Sequence, residues 1–156
     1  MATTIQWYGH YWDMVTKGLA LQYADISVRL VTSGYVFDPA HTLWDNGADN
    51  ATDPSHNEVS DGDGYTAGGQ LLENMVKTDD VITYGDVVWE GLDKTFRGVV
   101  GVYEGEFDGK TDPLLFYLLP DSTPADIVSI GSPYMIRWHP TDGLFYRPDF
   151  TVSPPP

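Results

Sequence analysis

Residues 96–120 read FRGVVGVYEGEFDGKTDPLLFYLLP, and this stretch decides the fold. Two apolar runs, GVVGVY and LLFYLL, are bounded by glycine, aspartate and proline. Short continuous runs of this kind fit strands buried on both faces, as in a sandwich. The EFDGKTDP between them is rich in turn residues and carries the chain back.

Strand signals continue on either side. In DISVRLVTSGYVFDP, Ile26, Val28 and Leu30 alternate with Ser27 and Arg29, the pattern of a half-buried strand. DVITYGDVVWEGL holds two short runs broken by Gly85-Asp86, a hairpin signal. In YMIRWHPTDGLFYRP, Tyr134, Ile136 and Trp138 share one face, and Met135, Arg137 and His139 the other. Thr141-Asp142-Gly143 then turns the chain into a last hairpin. Only the N-terminus has helical spacing: Ile5, Tyr8, Trp12, Val15 and Leu19 predict one short helix over 8–17. The stretch AHTLWDNGADNATDPSHNEVSDGDG reads as a long acidic surface loop, anchored by Leu43 and Trp44, with one helical turn near His41 to Asp45. With no strand–helix alternation, the expected fold is mainly β: an antiparallel β-sandwich or barrel-like domain with one short N-terminal helix and a long acidic loop. A single domain over 1–150 is expected, followed by a proline-rich tail at 151–156.

Charge narrows the function classes. Eight basic residues face 23 acidic ones in 156 residues, a formal net charge of -15. Such a surface repels phosphate backbones and anionic lipids, so neither nucleic acid nor membrane is an expected partner. The chain has no cysteine, which excludes disulfides and thiolate metal sites. The start MATTIQWYGH lacks a basic region followed by an apolar run, so no signal peptide is expected and synthesis in the cytoplasm of a host cell is.

Chemistry has few footholds. Asp61, Asp63 and Gly64, with Asn57 and Glu58 nearby, form a fragment of a calcium loop, but the spacing departs from the EF-type pattern, and a solvated acidic turn is the expected reading. GYTAGGQ lacks the lysine and spacing of a phosphate loop. His10, His41, His56 and His139 have no serine elbow or cysteine nucleophile to serve, and neither a catalytic residue nor a cofactor or metal is expected. Gly68 and Gly69 are expected to adopt positive φ in a corner that turns Leu71 and Leu72 into the fold.

The aromatic start WYGHYW is more informative. Trp7, Tyr8, Tyr11 and Trp12 fall within about one and a half helical turns and point in different directions, so a single helix face cannot bury all four. Tryptophan and tyrosine are favoured interface anchors. Together with Tyr65, Thr66, Gly68 and Gly69 of the corner, they are the expected partner contacts.

The order of elements, IQWYGH, VRLVTSGYVFDPAHTLWDN, EVSDGDGYTAGG, VITYGDVVWEGLDKTF, RGVVGVYEG, DPLLFYLL and YMIRWHPTDGLFYR, resembles a family of small virion structural proteins of tailed bacteriophages. In that family a GYTAGG turn precedes a hairpin, a sheet strand and a terminal hairpin containing tryptophan. The likeness spans Ile5 to Arg147 and is most specific at EVSDGDGYTAGG. The segment ENMVKTDD is more charged than the family pattern. The resemblance implies a particle component without enzymatic activity. Strong negative charge favours the outside of the shell over contact with packaged DNA. The expected role is a capsid decoration, or cement, protein that binds the major capsid protein and itself, a trimer being the favoured assembly. A tail or head–tail connector protein is the alternative in the same setting, and a carbohydrate-binding module the alternative of another class.

Overall fold

The computed structural model describes residues 3–78, 81–139 and 143–146. The expected turn at Thr141-Asp142 and the tail from 151 lie outside them.

The chain begins with β1 (Thr4–Trp7), α1 (His10–Thr16) and a 3-10 turn, and enters β2 (Ile26–Val31). A long connection follows, then β3 (Gln70–Leu71), β4 (Val76–Thr78), β5 (Val81–Thr83) and the ten-residue β6 (Val87–Phe96). β7 (Gly98–Tyr103) leads into a small hairpin, β8 (Glu106–Phe107) and β9 (Lys110–Thr111). β10 (Leu114–Leu119), β11 (Ile127–Ile136) and β12 (Phe145–Tyr146) complete the described order.

One layer is a five-stranded antiparallel sheet, β1-β10-β7-β2-β3. The other holds the β6–β11 ribbon and a small β12-β5-β4 sheet. The arrangement is sandwich-like and mainly β, with no closed barrel among the described residues.

The main core lies between the layers. Ile26, Val28, Leu30, Val99, Leu115 and Phe116 of the sheet meet Trp89, Leu92 and Phe96 of β6 and Tyr11 and Met14 of α1. The far face of the same sheet buries a second cluster, in which Val31, Val100, Val102, Leu114 and Tyr117 are covered by Tyr8, Tyr35 and Trp44. Burial on both faces explains why β7 and β10 read as unbroken apolar runs. A register shift between Leu114 and Phe116 lets consecutive Leu115 and Phe116 both face the main core.

Several expectations need correction. β2 is not half-buried: all six residues are buried, Arg29 included. Its guanidinium lies 4.7 Å from the Trp44 ring centroid, pairs with Glu104 at 2.8 Å and donates to Ser27 Oγ at 3.0 Å. These partners make burial of the charge tolerable. Gly85-Asp86 does not make a hairpin, because β5 pairs with β4 and β12 while β6 pairs with β11. The chain does double back after Trp138, with His139 bridging Gly143, but Phe145–Tyr146 then joins β5 instead of extending that pairing. The helix starts at His10, and Ile5 and Trp7 belong to a strand.

The acidic connection is the expected surface loop, exposed over 45–52 and held down by buried Trp44, Asp53 and Val59. No helical turn forms at His41 to Asp45; Leu43 instead bridges Pro113, and the helical turn is a 3-10 turn at Ser55–Asn57. Its aspartates and asparagines fold local turns: Asp38, Asp45, Asn46 and Asn50 each accept from the backbone N–H two residues on. Asp53 is fully buried and accepts from Ser55 Oγ at 2.9 Å, Asp49 N at 3.2 Å and Asn46 N at 3.4 Å. Burial alone would raise its pKa; the hydrogen bonds from Ser55, Asp49 and Asn46 outweigh it and hold the carboxyl below its ordinary value. A depressed carboxylate contributes stability present above its unfolded pKa, near 3.9, and lost as pH falls through the folded value. We therefore expect Asp53→Asn to lower stability by about 1–2 kcal/mol at pH 7 and by less near pH 3, as read from urea unfolding at both pH values.

Candidate interaction surface

The EVSDGDGYTAGG stretch is a corner that satisfies its own polar groups. Gly62 N donates to Tyr65 O at 2.8 Å, and Tyr65 N donates back to Gly62 O at 3.0 Å. Glu58 Oε1 accepts from the Tyr65 hydroxyl and from Gly68 N, both at 2.7 Å. Asp61 Oδ1 accepts from Ala67 N, and Asp63 faces Lys94 at 3.5 Å. The Tyr65 hydroxyl also accepts from Leu30 N at 3.1 Å, which ties the corner to the central strand β2. Burial first, then the charge of Glu58, pushes this phenol well above its ordinary range. Both glycines have positive φ, +91° at Gly68 and +69° at Gly69. Among the described residues no group of three His, Cys, Asp or Glu side chains is placed to hold a metal ion.

Three expected contacts are thereby corrected. Tyr8, Tyr11 and Tyr65 are buried within the chain and present no ring to a partner. The aromatics are indeed not all buried, since Trp12 stays exposed, but they do not share one helix: Trp7 ends strand β1 and Tyr8 follows it. Successive strand residues face opposite sides, so Trp7 packs on the main core and Tyr8 enters the second cluster. Tyr11 then falls on the inner face of α1. Leu71 is also corrected: alternation in β3 leaves it 51% exposed, while Leu72 packs inward.

Of the other expected contacts, Trp12 is 54% exposed on α1, Thr66 is exposed, and Trp7, Gly68 and Gly69 are half-buried. Trp7 lines a cleft of about 650 Å³ with Ile5, Leu118, Tyr134, Ile136 and Trp138. The cleft runs beside β1, which among the described residues pairs only with β10 and stands at the sheet edge.

A second apolar surface escapes the sequence reading. β11, IVSIGSPYMI, carries no charged residue in a chain of net charge -15. It exposes Val128 (63%), Ile130 (77%) and Met135. It pairs only with β6, so its other edge is open among the described residues. Register shifts between Ile130, Ser132 and Tyr134 break its alternation, and Pro133 removes an N–H donor. The signal in the sequence was the absence of charge over ten residues, not periodicity. Uncharged strand edges are where another chain can add a strand.

Pairing elsewhere absorbs much of the positive charge. Lys17 meets Asp13 and Asp108, Arg97 meets Asp126, and Arg137 meets Asp86. Residues 32–69 contain no lysine or arginine. No helix among the described residues is long and apolar enough to cross a membrane. No family model, curated protein or solved structure matches the chain.

Proposed function

We propose that the chain is a non-enzymatic structural protein of a tailed-phage virion, a decoration protein on the outer shell that binds the major capsid protein and further copies of itself. The observation that carries this reading is the contrast between an acidic exterior and charge-free edges. β1 and β11 hold no ionised side chain, and Ile5, Trp12, Val128 and Ile130 are exposed. A neutral strand edge docks without desolvating charge, and the surrounding acids oppose unspecific aggregation. The order of sequence motifs supports the phage setting. Many weak contacts repeated around a symmetric lattice hold such a protein in place without a deep pocket.

The test is binding to purified capsids. Wild-type protein is expected to sediment with capsids and not with tails. The double variant Val128→Asp/Ile130→Asp should reduce capsid binding at least tenfold, with a melting temperature within about 2 °C of wild type, since both sites are solvent-facing. Partition with tails would favour the connector reading.

The cleft beside Trp7, Tyr134 and Trp138 favours one second reading, a glycan-binding module. Glycan-array binding that raises the melting temperature, and disappears in Trp7→Ala, would support it over the shell.

A further inference from the structure

The segment 35–44 lies as a strap over the second cluster. Gly9 N donates to Pro39 O at 2.7 Å, Leu114 N donates to Thr42 O at 2.9 Å, and Trp44 N donates to Asp112 O at 3.1 Å. Phe37 stacks on Tyr117 with centroids 5.1 Å apart and planes 12° apart. Beneath the strap lie Tyr8, Val100, Val102, Leu114 and Tyr117.

We propose that this strap is released by acid, with His41 and His10 as its latches. The Tyr8 hydroxyl is fully buried and lies 2.8 Å from the Tyr35 hydroxyl, which lies 2.9 Å from His41 Nδ1. With His41 neutral and accepting at Nδ1, Tyr8 donates to Tyr35 and Tyr35 donates to His41. Every hydroxyl hydrogen then has an acceptor. Proton uptake puts a hydrogen on Nδ1, so Tyr35 must accept there and turn its own hydrogen to Tyr8. The Tyr8 hydrogen then loses its Tyr35 acceptor, and an unmatched buried donor is unfavourable.

His10 repeats the logic on the strand that the strap grips. Its Nε2 donates to Leu114 O at 2.7 Å, and its Nδ1 is buried with no hydrogen-bond partner. A second ring proton would sit on that nitrogen. Burial first, and the charge of Lys110 in addition, lower its pKa against the opposing pull of Leu114 O and Asp13. A lowered histidine contributes nothing adverse while both states are neutral. It destabilises the fold as pH drops below the unfolded value, about 6.5. The titratable groups around the two latches are Asp13 on α1, Tyr8 before it, Tyr35 and Asp38 on the strap, Lys110 on β9, Asp112 beyond it and Tyr117 on β10. The unfavourable contribution of His10 sets in as pH falls below about 6.5, so the strap opens there and bares the aromatic face. This inference is independent of any role in a virion.

Hydrogen exchange on the full chain at about pH 7.5 and about pH 5.5, corrected for intrinsic rates, tests it. The amides of Leu114 and Trp44 are expected to lose about tenfold in protection at the lower pH, while those of Val99 and Val100 keep theirs. His10→Gln/His41→Gln should remove the difference. Tyr8→Phe should shrink it, because the hydrogen stranded by proton uptake is gone. Equal protection at both pH values in wild type, or an undiminished loss in Tyr8→Phe, would overturn the proposal even if the histidine variant failed to fold.

Discussion

Phe116→Ala is expected to destabilise the protein by about 3–5 kcal/mol, a large part of the 5–15 kcal/mol typical of a domain. Phe116 is fully buried in β10 between both layers. Its ring meets Trp7 edge-on at 5.6 Å and Trp138 at 6.3 Å between centroids. It also lies over Gly101, its register partner on β7, where an added Cβ would meet the ring. Truncation removes the apolar contact and leaves a cavity that a central strand cannot collapse to fill. Urea unfolding should show a lower midpoint with little change in slope. Gly101→Val should be comparably harmful for the opposite reason, overpacking against the same ring. A loss below about 1 kcal/mol in Phe116→Ala would mean that the two layers are not packed through this residue.

Gly69→Val is expected to cost about 3 kcal/mol or more, and Gly68→Ala only about 1 kcal/mol. The two glycines are adjacent and both have positive φ, but their surroundings differ. A Cβ at Gly69 would run into the backbone oxygen of Val28 on the buried strand β2, whereas a Cβ at Gly68 meets nothing within 4 Å. Backbone in a central strand cannot step aside, so strain and clash add at Gly69 and only strain acts at Gly68. Thermal unfolding of the two variants checks the order. Equal losses would show that the second glycine is not pressed against β2. This gives the GYTAGG corner a structural meaning: it brings the chain against β2, and Tyr65 fastens it there through Leu30 and Glu58.

What the sequence made legible follows from how local the cause is. The β7 and β10 runs were readable because burial on both faces removes any need for polar residues. The turn at Asp108-Gly109 was readable from its residues, both at positive φ, but the two short strands that flank it were not. The faces of Tyr134, Ile136 and Trp138 followed from alternation alone. Arg29 misled because its solvent-like position in the pattern is covered by Trp44 and by Glu104, 75 residues away. Gly85-Asp86 misled because turn chemistry is local and strand pairing is not; β6 finds its partner in β11, beyond β7–β10. The first half of β11 was missed because its alternation is inverted, with Val128 and Ile130 exposed and Ser129 buried. Among the candidate contacts, the aromatic content was legible and its direction was not. The change from strand to helix between Trp7 and His10 sets which rings go in, and that change is fixed by pairing with β10.

The proposed role is adhesion to a particle, and the most direct measurement of it is the number of copies per purified virion by quantitative mass spectrometry. An outer-shell decoration protein is predicted at hundreds of copies per particle, lost together on treatment that strips the shell surface. A handful of copies retained with isolated tails, or none in particles at all, would contradict it.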